Sequence, residues 1–198
     1  MRSAIVRLRP HLSIALTIAA LAPMLGAAMC GDKAGKSGPE LVQEQACVAN
    51  IDKQDYNAAE TRCELCLEFN ERNAECLNGL GLIWYARGDD ERARKYWVRA
   101  IRENNDFAQP RSNMGVLEFE NQSYAEAANH FRLAIEIDPR FLPARYNLAL
   151  SHLRLGQQAI IDHKDPTPPY QAAETEYRKI FELYPEHAQS YGDMGVIM

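Results

Sequence analysis

The stretch that decides the fold is LNGLGLIWYARGDDERARKYWVRAI, residues 77–101. It aligns without gaps with RSNMGVLEFENQSYAEAANHFRLAIEIDP, residues 111–139, and with QACVANIDKQDYNAAETRCELCLEF, residues 45–69. The blocks that contain these stretches begin at residues 40, 74 and 108, and a fourth begins at 142, so each start follows the previous one by 34 residues. A fixed period of this length indicates a repeat architecture, in which every unit buries its apolar face against its neighbours.

Small side chains recur at equivalent positions of the blocks, and they resemble the tetratricopeptide repeat, a helix–turn–helix of 34 residues. Glycine stands at the eighth position in Gly81 and Gly115, where the family brings its paired helices close together, and Cys47 and Ala149 are small substitutes there. The matches at positions twenty, twenty-four and twenty-seven are Ala59, Ala93, Ala127 and Ala173; Trp97, Phe131 and Tyr177; and Ala100 and Ala134. The resemblance implies an all-α fold, a right-handed α-solenoid of about four and a half helix pairs spanning residues 40–198.

Proline and glycine are expected to mark the helix ends. Pro139 and Pro185 are predicted to stop the last helices of their repeats. Gly88 and Gly156 are predicted to mark turns between paired helices.

The fourth repeat departs from the period. Its first helix is expected over residues 142–155 and its second from near Tyr170, twelve residues later than the register predicts. The insertion at residues 157–169 is expected to lie on the surface, outside the core, and to lengthen the first helix until prolines break it. A partial fifth repeat begins near residue 188. Because half a repeat cannot bury its own apolar face, we expect the natural protein to continue beyond Met198.

The first 29 residues have the pattern of an export signal. Residues 1–11 carry three arginines and no acid, and LSIALTIAALAPML at residues 12–25 is apolar apart from Ser13 and Thr17. This run is shorter than the roughly 20 residues that a spanning helix needs. We therefore predict a cleaved signal peptide over residues 1–29, with an uncleaved N-terminal anchor as the alternative.

The sequence is compatible with two cleavage sites for the signal peptide. Gly26 and Ala28 fit cleavage before Met29, whereas residues 27–30, AAMC, resemble a bacterial lipobox in which Cys30 is lipidated. The glycine-rich residues 30–39 then read as a flexible tether. These patterns predict a lipoprotein on the periplasmic face of the outer membrane, or a soluble periplasmic protein if Cys30 is not lipidated.

The composition disfavours several classes of partner. Residues 1–29 hold three of the 22 Lys and Arg and none of the 27 Asp and Glu, so the rest of the chain has 19 bases, 27 acids and a net charge of −8. Nucleic acids and anionic lipid surfaces both require clustered bases and are not expected as partners. The histidines are scattered, and neither HExxH nor GxSxG is present. We therefore predict no enzymatic activity, no metal, no cofactor and no small-molecule substrate.

Four further cysteines lie in the first repeat and the first helix of the second: Cys47, Cys63, Cys66 and Cys76. Export makes disulfides the expected state, with a zinc site, a redox CxxC site or a reduced buried set as alternatives. Cys63 and Cys66 share one helix, which leaves two pairings, 47–63 with 66–76 or 47–66 with 63–76. In the repeat family, position eight faces position twenty-four and position twenty-seven faces the next first helix. The resemblance therefore favours Cys47–Cys63 with Cys66–Cys76.

The resemblance also implies a binding groove, because positions nine and twelve of each first helix line the concave face in this family. Position nine holds Val48, Leu82, Val116 and Leu150, and position twelve holds Ile51, Tyr85, Phe119 and Leu153. Every one of them is apolar, which argues against a clamp for a C-terminal carboxylate and favours a hydrophobic or amphipathic partner segment. We expect Tyr85 and Phe119 to be exposed in the groove, the alternative being burial by the curvature of the array.

The order of signal peptide, cysteine, tether and repeat array resembles the lipoprotein pilotins of type IV pili, the PilF, PilW and Tgl group. That resemblance implies an outer-membrane protein that binds secretin subunits and assists their assembly. The alternative is a periplasmic scaffold or adaptor in envelope assembly or cell division.

Overall fold

The computed structural model describes Lys36 and residues 38–185. The signal peptide, Cys30, most of the tether and the partial fifth repeat lie outside the described residues. The described part forms eight helices and no strand: α1 (Gly38–Asp52), α2 (Tyr56–Phe69), α3 (Ala74–Ala86), α4 (Asp90–Glu103), α5 (Ala108–Glu120), α6 (Tyr124–Ile137), α7 (Leu142–Ile161) and α8 (Thr167–Leu183). The predicted all-helical fold is confirmed for these residues.

The chain divides into two compact units at Pro110, in the first turn of α5. Unit 1 contains α1–α4, and unit 2 contains the rest of α5 and α6–α8. In unit 1, α1 packs on α2 and α3 packs on α4, while α3 also contacts both helices of the preceding pair. In unit 2, α7 packs on both α6 and α8. Each unit is thus built from helix pairs, the arrangement that the 34-residue period predicts.

Side-chain caps fix where the helices of unit 1 begin. The Asp55 carboxylate accepts from the Ala58 amide at 3.1 Å, and the Asp89 carboxylate accepts from the Arg92 amide at 2.9 Å. Each cap satisfies an amide that has no partner inside the helix, a contribution of about 1 kcal/mol. Gly88 joins α3 to α4 with φ of 81°, a left-handed conformation that glycine adopts without steric cost, so it marks a turn as predicted.

The small residues at position eight allow the paired helices to approach. A Cβ on Gly81 would lie 2.3 Å from Trp97 Nε1, and one on Gly115 would lie 2.7 Å from Phe131 Cε1. The residues of positions twenty, twenty-four and twenty-seven are fully buried in the centre of each pair: Ala59, Ala93, Ala127 and Ala173; Trp97, Phe131 and Tyr177; and Ala100 and Ala134. The close approach at position eight and the core positions are confirmed.

The structure corrects the prediction for Gly156, which is not a turn residue. It is buried inside α7, which runs on to Ile161, and a Cβ there would lie 2.3 Å from Tyr170 Cε1. The insertion therefore does lengthen α7, and its longest exposed run is residues 160–165. Helix α8 begins at Thr167 rather than near Tyr170, because prolines in the first turn of a helix cost no internal hydrogen bond.

Candidate partner-binding surface

The eight predicted groove residues are the apolar side chains at positions nine and twelve of α1 and α3 in unit 1 and of α5 and α7 in unit 2, and we call this set of residues the first-helix stripe. In unit 1, Val48 is 46% exposed and Leu82 is half-buried. Ile51 packs against the core cluster that includes Cys47 and Ile83. The position-nine side chains of unit 1 are accessible, whereas Ile51 contributes to the core.

Tyr85 contradicts the expectation of an exposed aromatic. Its side chain is only 6% exposed, and its ring centroid lies 5.8 Å from that of Trp97 at an interplanar angle of 50°. Trp97 lies directly against the backbone at Gly81, one helical turn before Tyr85, and the two rings fill the space between α3 and α4 together. Tyr85 is therefore a core residue of unit 1, and the prediction of its exposure was wrong.

Unit 2 divides the stripe in the same way. Val116 and Leu150, the position-nine residues, are half-buried. Phe119 is half-buried and meets Tyr124 edge to face, with ring centroids 5.2 Å apart, and Leu153 is only 7% exposed. In both units, then, position nine leaves apolar surface accessible, while position twelve serves mainly to join the first helix to the rest of its unit.

Two disulfides brace unit 1. Cys47 is joined to Cys63 across α1 and α2, and Cys66 is joined to Cys76 across α2 and α3, and all four side chains are fully buried. This is the pairing that the family resemblance favoured. Gly79, which the sequence analysis did not single out, makes room for the first bond, since a Cβ there would lie 2.7 Å from Cys47 Sγ.

A buried polar network next to the second disulfide was also missed. Asn73 is 2% exposed, and its amide nitrogen donates to both Glu40 Oε1 and Glu44 Oε2 at 2.8 Å. Its carbonyl oxygen caps α3 by accepting from the Cys76 amide at 2.9 Å, and Asn70 donates to Glu40 at 2.8 Å. An asparagine just before a helix predicts the cap, but the inward carboxylates of α1 follow only from the packing of α1 on α3.

A buried ion pair between Arg145 and Glu176 joins α7 to α8 in unit 2. Arg145 is 6% exposed and donates to Glu176 Oε2 at 2.5 Å and to the Pro139 carbonyl at 2.7 Å. Burial lowers the pKa of the nearby His152 below its ordinary value, and the negative charge of Glu176 opposes that shift only in part. The Arg145–Glu176 pair is enclosed within unit 2 and joins α7 to α8, so it is a structural contact.

The described residues contain neither a metal-binding cluster nor a membrane-spanning helix. No group of three or more His, Cys, Asp and Glu in residues 38–185 is arranged to hold a metal ion. None of the helices in that part of the chain combines the length and the apolar character that crossing a bilayer requires.

Comparison with curated proteins gives one distant sequence relative. No protein-family model matches the chain. Superkiller complex protein 3 of Mus musculus is 24% identical over 110 residues, which is 56% of this chain and 7% of the mouse protein. The matched segment is thus a small part of that relative's length.

Solved structures resemble this one more extensively. PilF of Pseudomonas aeruginosa superposes with a TM-score of 0.68 at 16% identity, covering 80% of this chain and 67% of that one. MamA superposes with a TM-score of 0.62 at 18% identity over 80% of both chains. YrrB, described as a TPR protein with an unusual peptide-binding site, gives 0.56 at 15% identity over 78% and 74%. At such identities these similarities concern the fold alone, and they establish it as tetratricopeptide-like.

Proposed function

We propose that this chain is a non-enzymatic scaffold that binds a partner protein through the position-nine residues of the first-helix stripe. One observation carries the proposal: all four first helices keep an exposed or half-buried aliphatic residue at this position, Val48, Leu82, Val116 and Leu150. The fold similarity to YrrB, itself described as having a peptide-binding site, supports a role in protein interaction.

The chemistry of the stripe selects the class of partner. Aliphatic side chains give no directional hydrogen bonds, so the matching segment presents apolar side chains, as an amphipathic helix does. Burying a valine or leucine side chain completely contributes about 1.5–3 kcal/mol, and these four are already partly covered, so each contributes on the order of 1 kcal/mol. The position-twelve residues of the stripe are half-buried or buried and support the position-nine side chains: Ile51, Tyr85, Phe119 and Leu153.

The more specific role that we propose is that of a pilotin for type IV pili. In this proposal Cys30 carries the lipid that holds the protein at the periplasmic face of the outer membrane, and a secretin subunit is the partner. The support is the order of signal, cysteine, tether and repeats, together with the similarity in fold to PilF of Pseudomonas aeruginosa.

A matched pair of variants tests the surface. Val48→Ser with Leu82→Ser removes apolar contact from the stripe in unit 1, and Val42→Ser is the control, because Val42 lies on the same helix as Val48 and is 59% exposed without belonging to the stripe. The full chain is produced in its source bacterium with the type IV pilus secretin of the same genome, and heat-resistant secretin multimers are measured. We expect the double variant to accumulate unassembled secretin and the control to assemble it normally.

Two outcomes would contradict the proposal. Multimers that form equally well without this chain would refute the pilotin role and favour a different envelope partner. A folded double variant that still supports multimers would remove the first-helix stripe as the binding surface. Mass spectrometry of the mature N-terminus tests the anchor separately, since an unmodified chain that begins at Met29 excludes a lipid on Cys30.

A further inference from the structure

Helix α4 has an exposed face of unusual charge. Arg92, Lys95, Arg99 and Arg102 recur every three or four residues and therefore lie on one side of the helix. The opposite side is buried through Ala93, Trp97 and Ala100. Val98 lies among the four bases and is 51% exposed. We call these five residues, Arg92, Lys95, Val98, Arg99 and Arg102, the basic face of α4.

The basic face contrasts with the other second helices and with the whole chain. Helix α4 carries five Lys and Arg against three Asp and Glu, whereas α2, α6 and α8 each carry more acids than bases. The chain as a whole has a net charge of −5. Ala93, Trp97 and Ala100 supply the core contacts of α4, and the bases on its outer side are not part of that packing.

Local contacts hold the arginines of this face in place. The Arg92 guanidinium lies 4.1 Å from the centre of the Trp84 ring and pairs with Asp89 at 3.0 Å. Arg99 donates to the backbone carbonyl of Glu71 at 2.6 Å. Because that acceptor is neutral, the bond orders the Arg99 side chain without cancelling its positive charge. Side chains that are already ordered lose less conformational entropy when a ligand binds, so the face is partly preorganised.

The carboxylates near the face neutralise it only in part, since Asp89 pairs with Arg92 at the start of α4 and Glu103 lies at its end. Glu103 is shared between Arg72 at 2.7 Å and Arg102 at 3.0 Å, so one negative charge serves two positive ones. Those two arginines, through their hydrogen bonds, lower the pKa of Glu103 below its ordinary value. Lys95 forms no ion pair within the described residues, and Arg72, whose side chain is largely exposed, extends the positive surface toward the start of α3.

We propose that the basic face of α4 docks an acidic segment of a partner protein, as a second interaction surface that is separate from the first-helix stripe. The face is complementary in charge to such a segment, and the exposed Val98 offers it one apolar contact between the bases. A 14-residue helix is about 21 Å long, which matches four turns of an acidic helix. A polyanion of uniform charge, such as a nucleic acid or an anionic bilayer, meets repulsion from the rest of this acidic chain.

The test uses defined probes with the full mature chain. The probe is a synthetic acidic peptide, a labelled alanine-based helix with four glutamates on one face and a central leucine. Its control carries glutamine in place of each glutamate. Binding is measured by fluorescence anisotropy at about 50 mM and about 500 mM NaCl, because ion pairs on a surface are screened at the higher salt concentration.

We expect binding of the acidic peptide to depend on the bases of this face and on salt concentration. The glutamate peptide binds at least about tenfold more tightly than the glutamine peptide at low salt and loses that advantage at high salt. Lys95→Gln with Arg102→Gln weakens its binding about tenfold. Arg132→Gln with Arg178→Gln makes the same change in net charge on α6 and α8, at exposed arginines that, like Arg102, have an acidic partner, and leaves binding within about twofold. The stripe variant, Val48→Ser with Leu82→Ser, retains peptide binding.

Several outcomes overturn the proposal. Equal affinity for the two peptides shows that the glutamates are not recognised. Equal losses in the two double variants, each of which removes two positive charges, show that only the net charge of the chain is sensed. Tighter binding to phosphatidylglycerol vesicles or to a single-stranded oligonucleotide, abolished by Lys95→Gln with Arg102→Gln, assigns the face to a polyanion instead. A dimer in light scattering that the same variant dissociates assigns it to a second copy of this chain. Circular dichroism of each variant confirms native helicity before binding is measured.

Discussion

Reduction of the two disulfides should remove most of the stability of unit 1. The bonds Cys47–Cys63 and Cys66–Cys76 close segments with sequence separations of 16 and 10 residues. The chain-entropy relation assigns them about 3.1 and about 2.7 kcal/mol at 25 °C, or roughly 6 kcal/mol together. Whole domains are stable by about 5–15 kcal/mol, so the loss is a large fraction of the free energy of unfolding of this unit.

Tryptophan fluorescence reports this effect selectively. The chain has two tryptophans, Trp84 in α3 and Trp97 in α4, and both belong to unit 1. Trp97 is fully buried, so unfolding of unit 1 changes its emission. The measurement compares urea unfolding of the oxidised protein with that of the protein in a phosphine reductant. With an m value of about 2 kcal/mol/M, we expect the midpoint to fall by about 3 M, or unit 1 to be unfolded without urea.

The control for this experiment is a thiol count. Peptide mapping under non-reducing conditions should find no alkylatable thiol among the four cysteines of the oxidised protein and four after reduction. Coincident midpoints for oxidised and reduced protein would refute the reasoning, because the bonds would then contribute nothing that packing does not already supply. Four reactive thiols in protein isolated from its native cells would show that the bonds do not form there.

Three further changes give smaller effects that the structure also predicts. Gly81→Ala should destabilise unit 1 by about 1–3 kcal/mol in the same urea assay, because the new methyl group overlaps the buried Trp97, while Gly38→Ala, which meets open space, should change it by less than about 0.5 kcal/mol. Wild-type protein should lose stability as pH falls below about 6.5, because burial holds His152 neutral in the folded state whereas the unfolded chain binds a proton there. His152→Gln should make the melting temperature less dependent on pH between about pH 7 and 5. A melting temperature that depends on pH as steeply in the variant as in the wild type would contradict this. Replacing the exposed residues 160–165 by a short turn should leave the melting temperature nearly unchanged, and a large drop would show that the segment packs.

The 34-residue period predicted the helix pairs and the residues between them. The physical reason is steric, because only a small side chain fits where two helices touch. Gly81 and Gly115 are such residues, and they lie opposite the aromatic rings at position twenty-four. The cysteine pairing followed from the same register, because positions that face each other in the family bring Cys47 beside Cys63. Local sequence likewise predicted the turn at Gly88, where φ is positive.

Tertiary packing decided what the repeat pattern leaves open, above all which side chains of the first-helix stripe remain accessible. Tyr85 and Val48 are both apolar groove positions in the repeat register, but the ring of Tyr85 reaches Trp97 and is buried, while Val48 stays 46% exposed. Gly156 looked like a turn, yet Tyr170 across the helix pair needs the space that its missing side chain leaves. The repeat period specifies the side of the helix on which each residue lies. Whether its side chain is exposed to solvent depends on the size of neighbouring residues that are distant in sequence.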